Sequence, residues 1–283
     1  MGGAVFLNNC SDTIVLVQNH FENDSAYNAG GSISNYSSNV RIENCNFWHE
    51  TAEQGGAIYN YGGSTAISYC TFAEDSASFG GAIACKDTSQ LIMDHCTVVR
   101  NYADTGAGVI LHEASIAYIS NSIFYYHTYG DPIHCYDDLS QVSLTYCNVY
   151  GNTEGDWVGC IEDQIDSTGN ISCHPLFCDP YNGDFSLAEN SCCAGTSESG
   201  TDIGALGIGC DPMGEPELTF SEAQGYITDG VYPDTGISLQ NYTFRVVYTD
   251  NENDAPEIGY PRLYLDIDGD GETTGPKIGR AHV

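Results

Sequence analysis

The sequence predicts an all-β chain: a parallel β-helix of about six coils of ~25 residues, followed by an incomplete β-sandwich-like module. Three observations carry that expectation. Double glycines recur at Gly2-Gly3, Gly30-Gly31, Gly55-Gly56 and Gly80-Gly81, with a loosened copy at Gly106-Ala107-Gly108; the spacings are 28, 25, 25 and 26 residues. A second column, Asn19, Cys45, Cys70, Cys96, Ser122 and Cys147, repeats at 26, 25, 26, 26 and 25. Two residues after each of these stand Phe21, Phe47, Phe72, Val98, Phe124 and Val149.

Each element of the repeat has a physical reading. Short stretches such as "VRIENCNF" and "LIMDHCTV" alternate with strand period, and no window offers an amphipathic helix. A leucine-rich frame is missing, and kelch blades need about 50 residues per repeat. Two or three short strands per ~25 residues fit one coil, and coils stack at ~4.8 Å with equivalent residues above one another. The Cys and Phe columns then become inward ladders, and Ala26, Ala52, Ala77 and Ala103 form a third column. Glycines mark one corner per coil, where the chain bends without strain and turns stack closely.

"GGAI" preceded by F-x-x-N/D-x-A (Phe21 to Ala26, Phe72 to Ala77, and Val98 to Ala103 with Val for Phe) resembles the repeats of chlamydial polymorphic outer-membrane proteins. More broadly, residues 1–210 look like the right-handed parallel β-helix repeat proteins of bacterial surfaces. The closing stretch His174 to Cys210 is similar to the terminal coil of secreted β-helix proteins, where "P-L-F-x-D-P…G-D-F-x-L…D-I-G-A" recurs. This resemblance implies a right-handed coil and a secreted or cell-surface location in bacteria. Residues 211–276 lose the glycine doublets and alternate as antiparallel strands do; they resemble the extracellular modules that follow such coils. Met1 falls on the first glycine cluster, and Ile278 to Val283 match one frame of a common sequencing adapter. Residues 277–283 are therefore expected to be an adapter artefact in a metagenomic sequence, both ends being truncated.

Charge narrows the function. Seven Lys and Arg face 39 Asp and Glu, a formal net charge of −32. Such a chain repels nucleic acid and anionic lipid, and no segment approaches the ~18–20 apolar residues of a membrane span. Within residues 1–210 only Arg41, Lys86 and Arg100 oppose 25 carboxylates, which disfavours a lyase acting on acidic polysaccharide. The doublets Asp137-Asp138 and Glu162-Asp163 do not pair by themselves, because neighbours on a strand face opposite ways. No catalytic set can be assigned. His20, His49, His95, His112 and His127 share no column, so no metal ladder follows from them.

Cys45, Cys70 and Cys96 are expected as buried thiols on adjacent rungs. Cys85 and Cys135 share a column two rungs apart, ~9.6 Å, too far to bridge. Cys192, Cys193 and Cys210 flank the last coil and are the disulfide candidates. A zinc site at Cys173, His174 and Cys178 matches no structural-zinc spacing. Asp266, Asp268 and Asp270, followed by Gly271, begin a loop of the type that binds Ca²⁺, although position 12 falls on Lys277. Tyr125, Tyr126 and Tyr129 cluster in one coil as a candidate glycan platform. The expected role is structural or adhesive, binding an extracellular glycan or a host or neighbouring cell surface. The alternative is a carbohydrate-active β-helix enzyme, a glycoside hydrolase or lyase, whose active-site coils lie partly outside this chain.

Overall fold

The structure is a computed structural model; it describes residues 3–165 and 168–212 fully, and beyond them only short strand segments. Backbone contacts divide the chain into two units, Met1–Pro212 and Met213–Val283. The first unit is a parallel β-helix whose wall consists of three six-stranded sheets. Sheet 1 stacks Val5–Asn8, Ile33–Tyr36, Ile58–Tyr61, Ile83–Lys86, Val109–Leu111 and Ile133–Cys135. Sheet 2 runs from Ile14–Val17 to Gln141–Thr145, and sheet 3 from His20–Glu22 to Asn148–Tyr150. Every pairing in these sheets is parallel and in register, as the repeat predicts; Phe21 faces Phe47, and Phe47 faces Phe72.

Inside, the aromatic ladder stacks face to face. Ring centroids lie 4.9 Å apart for Phe21 and Phe47 and 4.6 Å apart for Phe47 and Phe72. Val98, Phe124 and Val149 continue the column, all fully buried. Ile33, Ile58, Ile83, Val109 and Ile133 line the sheet 1 wall; Ile42, Ile67, Met93, Ile119 and Leu144 line sheet 2.

The two glycines of each cluster have different jobs. Gly55 sits at φ 62°, the left-handed region that Gly enters without strain. For Gly56 the limit is space: an added Cβ would fall 2.0 Å from Gly81 O of the next coil. Its N–H donates to Gly80 O at 3.1 Å, so the close approach is a hydrogen-bonded contact between coils.

At the other corners, single non-glycine residues take positive φ. Asn44, Tyr69, His95, Asn121 and Tyr146 bend the chain between sheets 2 and 3; Asn23, His49, Glu74, Arg100 and Tyr126 bend it after sheet 3. The residue after each bend turns its N–H out of the strand ladder, where burial makes an unpaired donor expensive. At several of these bends a side chain from the next coil accepts that proton. Cys45 N donates to Cys70 Sγ (3.3 Å), and Cys96 N donates to Ser122 Oγ (3.0 Å). After sheet 3, Glu50 N donates to Asp75 Oδ1, Asp75 N to Asn101 Oδ1, Asn101 N to His127 Nδ1 and His127 N to Asn152 Oδ1, all at 2.8–3.1 Å. The cysteine column is thus an acceptor ladder and not a row of disulfides.

Two segments close the unit. The end of the core is covered by the 3₁₀ turn Gly159–Gln164, whose Ile161 is fully buried. Gln164 imitates a further strand there: its Oε1 accepts Leu144 N (2.8 Å) and its Nε2 donates to Val142 O (3.1 Å). The stretch from His174 to Cys210 departs from the expected terminal coil. It folds along the outer face of sheet 3 as a strap, with Phe177–Asp179 antiparallel to Asp184–Ala188 and Ile208–Cys210 parallel to the latter. Ala73, Val99, Ile123 and Tyr125 point outward from sheet 3, too apolar to face water, and pack against Phe177, Phe185, Leu187 and Ile203 of the strap. Gly204 N donates to Asn121 O (2.8 Å), Ala205 N to Thr97 Oγ1 (3.0 Å) and Arg100 Nη1 to Pro180 O (2.8 Å).

In the second unit, Glu217–Phe220 pairs antiparallel with Val246–Thr249, Val231–Tyr232 with Thr243–Phe244, and Arg262–Tyr264 with Ile278–Arg280. The loop with Asp266, Asp268 and Asp270 lies outside the described residues.

Phe72, fully buried mid-ladder, is expected to cost ~3–5 kcal/mol when changed to Ala, whereas Tyr27→Ala, at a 93% exposed position, should stay within about 0.5 kcal/mol. Urea unfolding of the two variants checks this; equal losses would refute the inward assignment.

Candidate binding face

Alternation within each strand of sheet 1 sends one residue into the core and the next outward. The outward positions gather aromatic rings along successive coils. Phe6 lies 5.5 Å from Tyr36 by ring centroids, and Tyr36 lies 5.8 Å from Tyr59 and 5.5 Å from Tyr61. Tyr59 is almost covered by these neighbours, which raises its phenol pKa through burial. Farther along, Ala84 and Ile110 continue the apolar floor, and the His112 ring lies tilted against Tyr136, 4.4 Å between centroids. Tyr59, Phe79, Lys86, Ile110, His112 and Tyr136 enclose a shallow trough of about 200 Å³. Its cation is engaged, since Lys86 Nζ lies 3.4 Å from Glu113 Oε1.

A second hollow, about 370 Å³, is lined by Asp104, Tyr129, Asp131, His134 and Glu154. Asp131 is committed there. It accepts Gly106 N (2.9 Å) and meets His134 Nδ1 at 2.7 Å, which holds its carboxyl below the usual range and raises His134. A general acid for glycoside hydrolysis needs the opposite, a carboxyl held protonated at an open site. Neither of the other coil cations is free for an acidic sugar: Arg41 pairs with Glu43 (2.9 Å), and Arg100 binds Pro180 O and lies over the Tyr181 ring at 4.5 Å.

The tyrosines singled out from the sequence do not form one platform. Tyr125 is buried between sheet 3 and the strap, its OH 3.1 Å from His174 Nε2; Tyr126 occupies a bend and packs on the same cluster. Tyr129 is exposed and stacks on Tyr102 at 5.3 Å. Adjacency in sequence misled here, because the strap covers the outer face of sheet 3. Cys192 bonds Cys173, Cys210 bonds Cys178, and Cys135 bonds Cys160. Cys193 is instead a buried free thiol, accepting from Asn148 Nδ2, and the disulfides take Cys173 and Cys178 away from any zinc site. Asp137 is a turn cap, its oxygens accepting from Glu113, Leu139 and Ser140 N–H groups. Glu162 and Asp163 are exposed on the 3₁₀ turn.

The family model described as right handed beta helix region matches residues 1–171, more than half of the chain. The chain belongs to the right-handed β-helix family. No curated protein and no solved structure matches it. Among the described residues, no helix of this β-helix is long and apolar enough to cross a membrane.

The carboxyls with raised pKa lie inside the β-helix wall. Glu50 and Asp75 occupy adjacent rungs of the polar ladder, both fully buried. Burial pushes Glu50 up to about 7 and Asp75 well above its ordinary value; burial also lowers His127 to about 3. Ser32 stands beside Glu50 where later coils carry Ala57, Ala82 and Ala107, so the longer acid coincides with a hydroxyl across from it.

Glu50 therefore keeps its proton in the folded chain to about pH 7, whereas the unfolded chain releases it near 4.5. Its contribution is full below the unfolded value and is lost as pH rises through the folded one. Urea midpoints compared at about pH 5 and pH 8 should fall less for Glu50→Gln than for the wild type; an unchanged pH slope would contradict this.

Proposed function

We propose that this β-helix is a secreted or cell-surface binding and spacer element that holds neutral glycan along the outer face of sheet 1. The observation that carries the reading is the run of rings from Phe6 through Tyr36, Tyr59 and Tyr61 toward His112 and Tyr136. Sugar rings offer flat C–H faces that pack on aromatic rings, while their hydroxyls need polar groups at the margin. Gln54, Lys86 and His112 provide such groups. Three disulfides in a coil of this size support an oxidising compartment outside the cytoplasm. The acidic surface favours partners that are neutral or cationic, such as an extracellular polysaccharide or a neighbouring cell wall.

The enzymatic alternative has less support on this face. The carboxyls held protonated, Glu50 and Asp75, are walled off from solvent, Asp131 is committed to His134, and Asp137 caps a turn. Calcium at Asp266, Asp268 and Asp270 belongs to the same reading, as a stiffener of the second unit with weak affinity of about 10⁻⁴–10⁻³ M.

Isothermal calorimetry with cellohexaose, chitohexaose and mannohexaose tests the binding face. At least one should bind, with a loss of about tenfold or more in Tyr61→Ala and release of reducing ends absent. Binding unaffected by Tyr61→Ala and by Tyr136→Ala would overturn the assignment. Melting with calcium and with chelator tests the loop: a rise in Tm that Asp268→Ala abolishes is expected, and identical curves would remove calcium from the account.

A further inference from the structure

A cluster of three sulfurs stands where the strap leaves the coil, away from the binding face. Cys173 and Cys192 form a disulfide, and the Sγ atom of the adjacent Cys193 lies with both of theirs within 4.8 Å. Among the described residues, no other group of three thiols, imidazoles or carboxylates converges this way. Cys193 is fully buried; its N–H donates to Ser191 Oγ (3.1 Å), and Asn148 Nδ2 donates to its sulfur (3.2 Å). Burial pushes the thiol up to about 12, so the closed strap keeps it protonated and inert. Cys192 is less enclosed, with its sulfur 3.3 Å from His174 O.

We infer that Cys173 bonds either member of the Cys192-Cys193 pair, making this cluster an internal exchange site that converts a shielded thiol into an accessible one. When the strap loosens, Cys193 loses its burial and its Asn148 contact, and its thiol ionises in the ordinary range. The thiolate attacks Cys173 Sγ. A Cys173–Cys193 bond forms as the Cys173–Cys192 bond breaks, and Cys192 leaves as a thiolate that takes up the proton Cys193 released. One disulfide and one thiol exist before and after, so no outside oxidant or reductant takes part. The strap stays tethered, shifted by one residue, and Cys192 now presents a thiol at the half-exposed position. Such a thiol is a site for alkylation or for a mixed disulfide with a second thiol-bearing molecule.

The full chain is held at about pH 8 in low urea with iodoacetamide, quenched with acid and cleaved after Glu189 and Glu198. The peptide Asn190 to Glu198 then carries both cysteines, and fragmentation in the mass spectrometer separates them. Label on Cys192, together with Cys173 linked to Cys193, is expected to accumulate in the wild type. Cys193→Ser should abolish the Cys192 label, and Cys192→Ser should fold with Cys173 bonded to Cys193. Label confined to Cys193 over an intact Cys173–Cys192 bond, or no label on either, overturns the inference. The wild-type pattern decides the matter should Cys192→Ser fail to fold.

Discussion

The amide that follows each corner governs the rest of this structure. A coil of about 25 residues bends at several corners, and at corners beside the sheets a backbone N–H turns away from the parallel ladder and into the wall. An unpaired buried donor costs ~1–3 kcal/mol, and six coils repeat the problem. At many of these corners the chain meets it with an acceptor side chain contributed by the next coil: Ser38 for Cys10, Cys70 for Cys45, Asp75 for Glu50. These contacts lock register, because a coil displaced by one residue would offer the wrong atom at every corner. They also explain the varied chemistry of a column in which Asp, Asn and His succeed one another: each carries an acceptor at the same reach.

The second constraint concerns the faces of the wall. A strongly apolar outer face, such as that of sheet 3, needs cover from water. Sheet 3 is covered by the strap, which two cross-links hold: Cys173–Cys192 fixes its root and Cys178–Cys210 closes its far strand, while Cys135–Cys160 fixes the end cap. Among the described residues of the first unit, none covers sheet 1 in this way. Its tyrosines lie against one another and against a shallow trough, and this open run of rings directs attention to sheet 1 as the binding surface.

Much of this was legible in the sequence. Glycine, cysteine and phenylalanine columns fix the period, the parallel register and the inward ladders, because stacking places equivalent residues on one another. Tyr36 and Tyr61 follow the same period on the outward side, so the aromatic face was readable by extending the alignment of columns to outward positions. The strap was not readable as a strap. Its residues alternate as any coil would, and only the contacts of Phe177, Phe185 and Ile203 with Ala73, Val99 and Tyr125 show that it lies beside the stack. For that reason Tyr125 and Tyr126 seemed surface groups and Cys193 a disulfide partner. Cys135 and Cys160 stand 25 residues apart, one repeat, whereas a pairing such as Cys178 with Cys210 depends on where the strap returns, which periodicity does not encode.

Amide hydrogen exchange resolved by residue tests the corner account most directly. The N–H groups of Cys45, Asp75, Asn101 and His127 belong to bends, and turn amides bonded to water exchange rapidly. Donation to side chains of the next coil predicts protection comparable with that of neighbouring strand amides such as Phe72 and Val98. Rapid exchange at these four positions, beside slow exchange in the strands, would contradict the claim that corner acceptors hold the coils in register.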